Sequence, residues 1–337
     1  MAKEDGNHPL ARDFCRPTAG SSFKVHDKEY TLRGKIGDGA VGLVRKAVIR
    51  NSEAKCAIKF LAPDPKYIDV ARFDDVAARF LREGERGAKL EHPHLVKILD
   101  YCPNGKGEGF CDDCPQNPFI LMELLSNKTL ESRIKASPST GVFEITTEKL
   151  STALQLTSAL QYLHKKKIVH RDVKPSNIFV IPESPGRQSA VKLGDFGVTK
   201  WGDFHASLAT GVLTATNHAG LGTQKYMSPE QALRPKDVTV RSDVFSLGIT
   251  LFELFTNQIL PSPYHVFNLM DARAQRGTTA SRYLSLDINI NGVDETLPEL
   301  LLEMIRKGIS GRPTIDKVHA RLGWLYQDLA GKPWRIG

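Results

Sequence analysis

The run His170-Arg171-Asp172-Val173-Lys174-Pro175-Ser176-Asn177 puts a carboxylate, an ammonium and an amide into one short segment. A second carboxylate follows eighteen residues after Asn177, in Asp195-Phe196-Gly197. Brought to one point, these groups suit the transfer of a phosphoryl group from a magnesium-bound nucleotide. They offer a base for an acceptor hydroxyl, oxygen ligands for the metal and a cation for the γ-phosphate. The competing reading is a degenerate copy of the pattern that has lost its chemistry.

A second constellation lies upstream. Gly37, Gly39 and Gly42 sit between two strand patterns. Glycine lets a backbone approach phosphates closely and tolerates positive φ. The same spacing also occurs in dinucleotide-binding turns, but there a helix follows the glycines and here a strand does. Val44 continues the pattern, and Ala57-Ile58-Lys59 begins fifteen residues after Gly42. A lysine in an apolar strand is costly to bury unless it is paired. Lys59 therefore calls for a carboxylate, and Glu83 and Glu85 on the helix before His92-Pro93 are the candidates. The plain alternative is a lysine on a solvent face.

The elements that must position these groups follow from hydrophobic period and turn residues. Strands are expected at 30–35, 43–49, 56–61, 96–101 and 118–123. Phe73, Val76, Ala77, Phe80 and Leu81 have helical spacing within a helix predicted over 69–90. Beyond Leu124, helices are expected at 148–167, 228–233, 241–257, 264–276 and 297–307. Strands first and helices second argue for an α+β fold with two lobes rather than a doubly wound sheet. Residues 1–28 read as a polar extension, mobile or weakly pinned to the surface.

Composition sets outer limits. The 337 residues are enough for two sizeable cores, and 41% hydrophobic with 25% charged residues is ordinary for a globular chain. The net charge of +8 is spread along the sequence. It shows no clustered patch of the kind nucleic-acid binding requires, so no nucleic-acid site is assigned. The N-terminal residues lack the apolar core of a signal peptide. The longest apolar stretch, Val244 to Phe255, is too short and too polar to span a bilayer. These features, with an odd count of five cysteines, lead to the expectation of a soluble, cytoplasmic protein without a disulfide framework.

From about residue 30 to residue 325 the chain resembles the eukaryotic-type (Hanks-type) serine/threonine protein kinases. The resemblance rests on the glycine run, Ala57-Ile58-Lys59, the 170–177 and 195–197 segments, and Gly222-Thr223-Gln224-Lys225-Tyr226-Met227-Ser228-Pro229-Glu230. It implies a bilobal catalytic domain over 29–325, with an N-lobe at about 29–121, a hinge at 122–126 and a C-lobe at 127–325. Residues 326–337 would form a tail. It implies ATP and Mg²⁺ as the nucleotide and metal, and protein substrates with serine or threonine acceptors. Asp172 would orient the acceptor hydroxyl, Lys174 would neutralise the γ-phosphate, and Asn177 and Asp195 would bind Mg²⁺. The resemblance favours Glu83 over Glu85 as the partner of Lys59. Gly37, Gly39, Gly42, Val44, Ala57, Lys59, Met122, Glu123, Leu125 and Phe179 would surround the nucleotide. Met122 would be the gatekeeper, with Glu123 and Leu125 offering backbone hydrogen bonds to the base. Thr223 would contact Asp172 and Lys174. Glu230 would pair with Arg312, Asp243 would hold the backbone of the catalytic loop, and His170 would pack against Phe196.

Three departures stand out. Gly87 lies one turn after Glu83, where similar kinases carry a large apolar side chain against the Phe of Asp-Phe-Gly. That leads to the expectation of a helix that swings easily, corrected by an activating partner, a dimer contact or phosphorylation, or else of a neighbour filling the gap. The span from Asp195 to Glu230 holds Thr210, Thr214 and Thr216 as candidate autophosphorylation sites, whose phosphate would bind Arg171. Cys102, Cys111 and Cys114 lie in a Gly/Pro-rich insertion whose Cys-x-x-Cys spacing fits structural zinc, or a reduced surface loop. Two rival functions remain: a pseudokinase scaffold, and a small-molecule phosphotransferase of related fold.

Overall fold

The computed structural model of the chain describes residues 17–25, 27–39, 42–63, 73–103, 117–137, 143–182, 189–195, 225–259 and 296–336. They fall into two compact units. The first takes the described residues up to Glu91 together with Val96–Asn127. The second takes His92–Leu95, the described residues from Lys128 to Asp195, and everything from Lys225 onward.

The first unit is a six-stranded antiparallel sheet and one helix. The strands are β1 (Ser22–Val25), β2 (Lys28–Asp38), β3 (Gly42–Ile49), β4 (Lys55–Leu61), β5 (Ile98–Cys102) and β6 (Phe119–Glu123). Their order is β1-β2-β3-β4-β6-β5. Alternate residues of a strand point to opposite faces. One face collects Phe23, Tyr30, Leu32, Ala47, Cys56, Ile58, Phe60, Phe119 and Leu121 into a core.

Strand β1 corrects the expectation of a loose extension through residue 28. Phe23 is 1% exposed and stacks on Tyr30 with centroids 5.6 Å apart. It also meets Phe60 and Phe119 edge-on. Burying such a ring contributes roughly 1.5–3 kcal/mol, enough to hold a four-residue strand against fraying.

Helix α1 (Phe73–Gly87) presents Val76, Phe80 and Glu83 on one buried side. Its two glycines make the approach to the sheet close. A Cβ at Gly84 would stand 2.9 Å from the Tyr101 Cβ, and one at Gly87 would stand 2.2 Å from the Ile98 Cδ1. Ile98 thus fills the space left open at Gly87. Of the two expectations for Gly87, the contact matches a neighbour filling the gap.

The second unit is helical around a small hairpin. Its helices are α2 (Leu130–Ala136), α3 (Thr147–Lys165), α4 (Pro229–Leu233), α5 (Val240–Thr256), α6 (Thr296–Met304) and α7 (Ile315–Ala330). Threonine side chains cap α3, α5 and α7 at Thr146, Thr239 and Thr314 by accepting early backbone N–H groups. Helices α3 and α5 are buried nearly all round, the mark of central helices. Helix α7 runs through residue 325 without a break, with Tyr326 buried at 4% exposure, so the tail begins only at Gly331. Trp334 in that tail donates to Ser151 at 3.2 Å and meets the His319 ring edge-on. The hairpin is β7 (Ile178–Ile181) with β8 (Ala190–Leu193). The helix expected at 264–276 lies outside the described residues.

Candidate active site

In the first unit, strand register decides which side chains share a surface. Gly37 lies opposite Val44, Val44 opposite Lys59, and Lys59 opposite Ile120. Ala57 is two residues from Lys59 and pairs with Met122. Val44, Ala57, Lys59 and Met122 therefore share one face, the one away from the aromatic core. Gly42 is required by close backbone approach, since a Cβ there would sit 2.3 Å from the Phe60 carbonyl oxygen. Lys59 Nζ is 2.9 and 3.2 Å from the two carboxylate oxygens of Glu83, which is 4% exposed. Glu85 points to solvent and pairs with Lys89 at 3.0 Å. Glu83 is thus the partner of Lys59. The backbone N–H of Glu123 donates to the Lys97 carbonyl at 3.0 Å, so that donor is committed within the sheet. Phe179 belongs to the second unit, half-buried in β7.

In the second unit, the β7–β8 register brings the two expected magnesium ligands to one end of a hairpin. Ile178 lies opposite Leu193, and the Gly194 N–H donates to the Asn177 carbonyl at 2.9 Å. Asp195 follows at once, exposed and with φ +57°. The Asn177 Nδ2 donates to the Asp172 carboxylate at 2.6 Å and to the Asp172 carbonyl at 2.9 Å. With the nitrogen so engaged, the amide oxygen of Asn177 is the atom suited to a cation. That oxygen and the Asp195 carboxylate are hard oxygen donors, the chemistry that suits Mg²⁺. Lys174 Nζ stands 3.2 Å from Asp172 Oδ2, and both residues are buried.

The backbone of this loop is held from several sides. Asp243, fully buried on α5, accepts the N–H groups of His170 at 2.9 Å and Arg171 at 2.8 Å. The same carboxylate meets His164 Nε2 at 2.9 Å. Arg171 takes a left-handed φ of +70°. Burial holds the His170 imidazole below its ordinary pKa, and its Nδ1 accepts the Asp172 N–H at 3.3 Å. His170 is thus a neutral structural group.

Below the loop, Arg312 grips Glu230 with two bonds of 2.6 and 2.8 Å, both side chains being 2% exposed or less. Burial alone would raise the Glu230 carboxyl. Hydrogen bonds from Arg312 and Ser242 outweigh it and pull the value down to about 2.

A family model described as the protein kinase domain matches residues 30–322. The chain belongs to the protein kinase family. The relatives of this protein kinase include the serine/threonine-protein kinase PrkC of Bacillus subtilis, 33% identical over 230 residues, which are 68% of this chain and 31% of that one. PknB of Mycolicibacterium smegmatis is 33% identical over 233 residues, 68% of this chain and 32% of that one. The chain thus spans about a third of the length of these relatives. The crystal structure of the Mycobacterium tuberculosis PknI kinase domain matches with a TM-score of 0.61 at 19% identity, covering 94% of this chain and all of that one. That likeness shows the bilobal kinase fold.

Several expected kinase positions, Thr223, Phe196, Gly197, Thr210, Thr214 and Thr216, lie outside the described residues, as do Cys111 and Cys114. Cys102 is a free thiol at the end of β5. Among the described residues no group of three or more His, Cys, Asp or Glu could hold a metal ion, so the zinc expectation finds no support.

Sequence reasoning missed three contributors. His164 braces Asp243. Glu253 is fully buried on α5, taking the Lys225 ammonium at 2.7 Å and the Tyr226 hydroxyl at 2.7 Å. Burial and the neighbouring Glu253 raise the Tyr226 phenol, so it stays a donor. Gln231, directly after Glu230, donates from Nε2 to the Arg171 carbonyl at 2.9 Å. The apolar setting of Glu253 was a signal that could have been read. For Gln231 the partner is 60 residues away, and no local pattern announces it.

Proposed function

We propose that the chain transfers the γ-phosphoryl group of ATP to serine or threonine hydroxyls of protein substrates. The observation that carries this reading is the Asp172 carboxylate, held between the Lys174 ammonium at 3.2 Å and the Asn177 amide at 2.6 Å. Asp172 orients the acceptor hydroxyl and takes its proton. Lys174 offsets charge on the phosphoryl group in transit. Lys59, fixed by Glu83, contacts the α- and β-phosphates, and the backbone at Gly37, Gly39 and Gly42 covers them. Val44, Ala57, Met122, Leu125 and Phe179 surround the base, with Glu123 beside them. Asn177 and Asp195 would hold magnesium, which would supply positive charge to the phosphate oxygens.

A serine/threonine acceptor is supported by Lys174, two residues after Asp172, and by the names of the relatives. Use of ATP argues for a domain working on the cytoplasmic side. Among the described residues no helix is long and apolar enough to cross a membrane.

The test is radiolabelled ATP with a degenerate peptide library, comparing wild type, Asp172→Asn and Lys59→Met. Label is expected on serine and threonine, with turnover falling about 10²-fold or more in each variant. Undiminished labelling in Asp172→Asn would exclude this mechanism. Absence of any turnover in wild type, with every acceptor and activator tried, would favour a scaffold. Label on Thr210, Thr214 or Thr216 after incubation with ATP alone would place autophosphorylation in the 195–230 span.

A further inference from the structure

The peptide unit joining Arg171 to Asp172 is gripped at both ends. Its N–H, that of Asp172, donates to His170 Nδ1 at 3.3 Å. Its carbonyl, that of Arg171, accepts from Gln231 Nε2 at 2.9 Å. Arg171 is in the left-handed region, with φ +70°, where a non-glycine residue stays only when its surroundings fix it. The Arg171 N–H is already on Asp243. Release of the carbonyl would let the 171–172 plane rotate, and Asp172 is carried on that plane.

Gln231 is built to be rigid. It is 8% exposed, and its side-chain oxygen accepts the Ser228 N–H at 3.1 Å and the Ser228 hydroxyl at 3.2 Å. With the oxygen so occupied, the amide can present only its nitrogen to Arg171. Ser228 and Gln231 form the capping box of α4, whose second residue, Glu230, is anchored by Arg312. A capping device at the start of α4 is thereby joined to the loop that carries Asp172.

We propose that Gln231 is a positioning residue of the catalytic loop: its carboxamide fixes the Arg171–Asp172 peptide and so aims the Asp172 carboxylate. This rests on Asp172 acting on the acceptor hydroxyl. It adds a role for α4 beyond the Glu230–Arg312 anchor.

Gln231→Met removes the donor at similar length. Gln231→Glu keeps an oxygen for the Ser228 cap but turns a second oxygen towards the Arg171 carbonyl. Ser228→Ala removes the cap hydroxyl and leaves the Ser228 N–H and the Gln231–Arg171 bond in place. For both Gln231 variants kcat is expected to fall about 10²-fold with the KM for ATP within about twofold, because a small misplacement of a reacting group has that effect. Ser228→Ala keeps a kcat near wild type. Hydrogen exchange at the Arg171 and Asp172 amides is expected to quicken in the Gln231 variants and not in Ser228→Ala. Wild-type kcat in Gln231→Met, an equal loss in Ser228→Ala, or unchanged exchange would each overturn the assignment. The exchange measurement decides independently of turnover. Should Asp172→Asn leave turnover intact, the proposed function falls, while the role of Gln231 in fixing the loop is still read directly.

Discussion

The side-chain nitrogen of Asn177 lies 2.6 Å from Asp172 Oδ2 and 2.9 Å from the backbone carbonyl of the same residue. One amide thus holds both the carboxylate and the main chain that bears it. Asn177→Asp keeps an oxygen for a metal but replaces the donor with a like charge. The two carboxylates would repel, raising the proton affinity of one. The expected result is a kcat lowered about 10²-fold or more with the fold intact by circular dichroism. A variant as active as wild type would show that the donor is dispensable.

The buried Glu230–Arg312 pair sets a prediction for stability. Arg312→Met leaves the Glu230 carboxylate without its cation, at an expected cost of ~3–5 kcal/mol in urea unfolding. Arg312→Met combined with Glu230→Met should recover part of the loss, since the buried charge is gone. The sign with pH follows from the depressed carboxyl, about 2 against an ordinary 4.5. Its contribution is complete above about pH 4.5 and is lost as pH falls towards 2. Identical acid transitions for wild type and Arg312→Met would contradict this.

Contact between Gly87 and Ile98 reverses the effect expected of a larger residue in α1. Gly87→Leu must displace Ile98, and overpacking of this kind costs about 1–3 kcal/mol. Lower stability and no gain in basal activity are expected. Gly87→Leu with Ile98→Ala exchanges large for small across the contact and should regain stability relative to Gly87→Leu alone. A thermal-unfolding series of wild type, Gly87→Leu, Ile98→Ala and the double variant measures this, and additive losses would show that the two sites do not share the space.

Burial first, and the neighbouring His94 second, lower His92 from 6.5 to about 4. Burial likewise lowers His94, His170 and His319. As pH drops below 6.5 the unfolded chain takes up protons that the folded chain refuses. Stability therefore declines from about pH 6.5 towards pH 4. His92→Gln should decline less over that window in urea titrations at neutral and mildly acid pH. Parallel curves would remove His92 from the account.

The candidate site was legible where the proposed function demands fixed residue types at fixed separations. Lys59, Asp172, Lys174 and Asp195 bring charges and Asn177 a neutral amide, the residue types that the proposed chemistry calls for. The strands at Gly42–Ile49 and Lys55–Leu61 announce themselves by β-rich composition and turn residues. Strand β1 was hidden because four residues, one of them a buried Phe, give too short an alternation against a polar background. The hairpin β7–β8 was masked by its adjacency to loop motifs, and α7 by a mixed apolar pattern near the end of the chain. At Gly87 the sequence left two readings open, a missing contact or a neighbour filling the gap, because one position does not name its neighbour. The space at a helix–sheet contact belongs to both surfaces, and Ile98 occupies it from the other side.

The pairing of β1 with β2 bears on how this domain is dissected. A fragment started at residue 30, where the family match begins, would lose Phe23 and strip the outer neighbour from β2. Its Tyr30 and Phe119 would be left facing water, and the bared strand edge would invite association between molecules. Aggregation of such a fragment would therefore report a boundary drawn inside the sheet and would not reflect weakness of the catalytic domain itself.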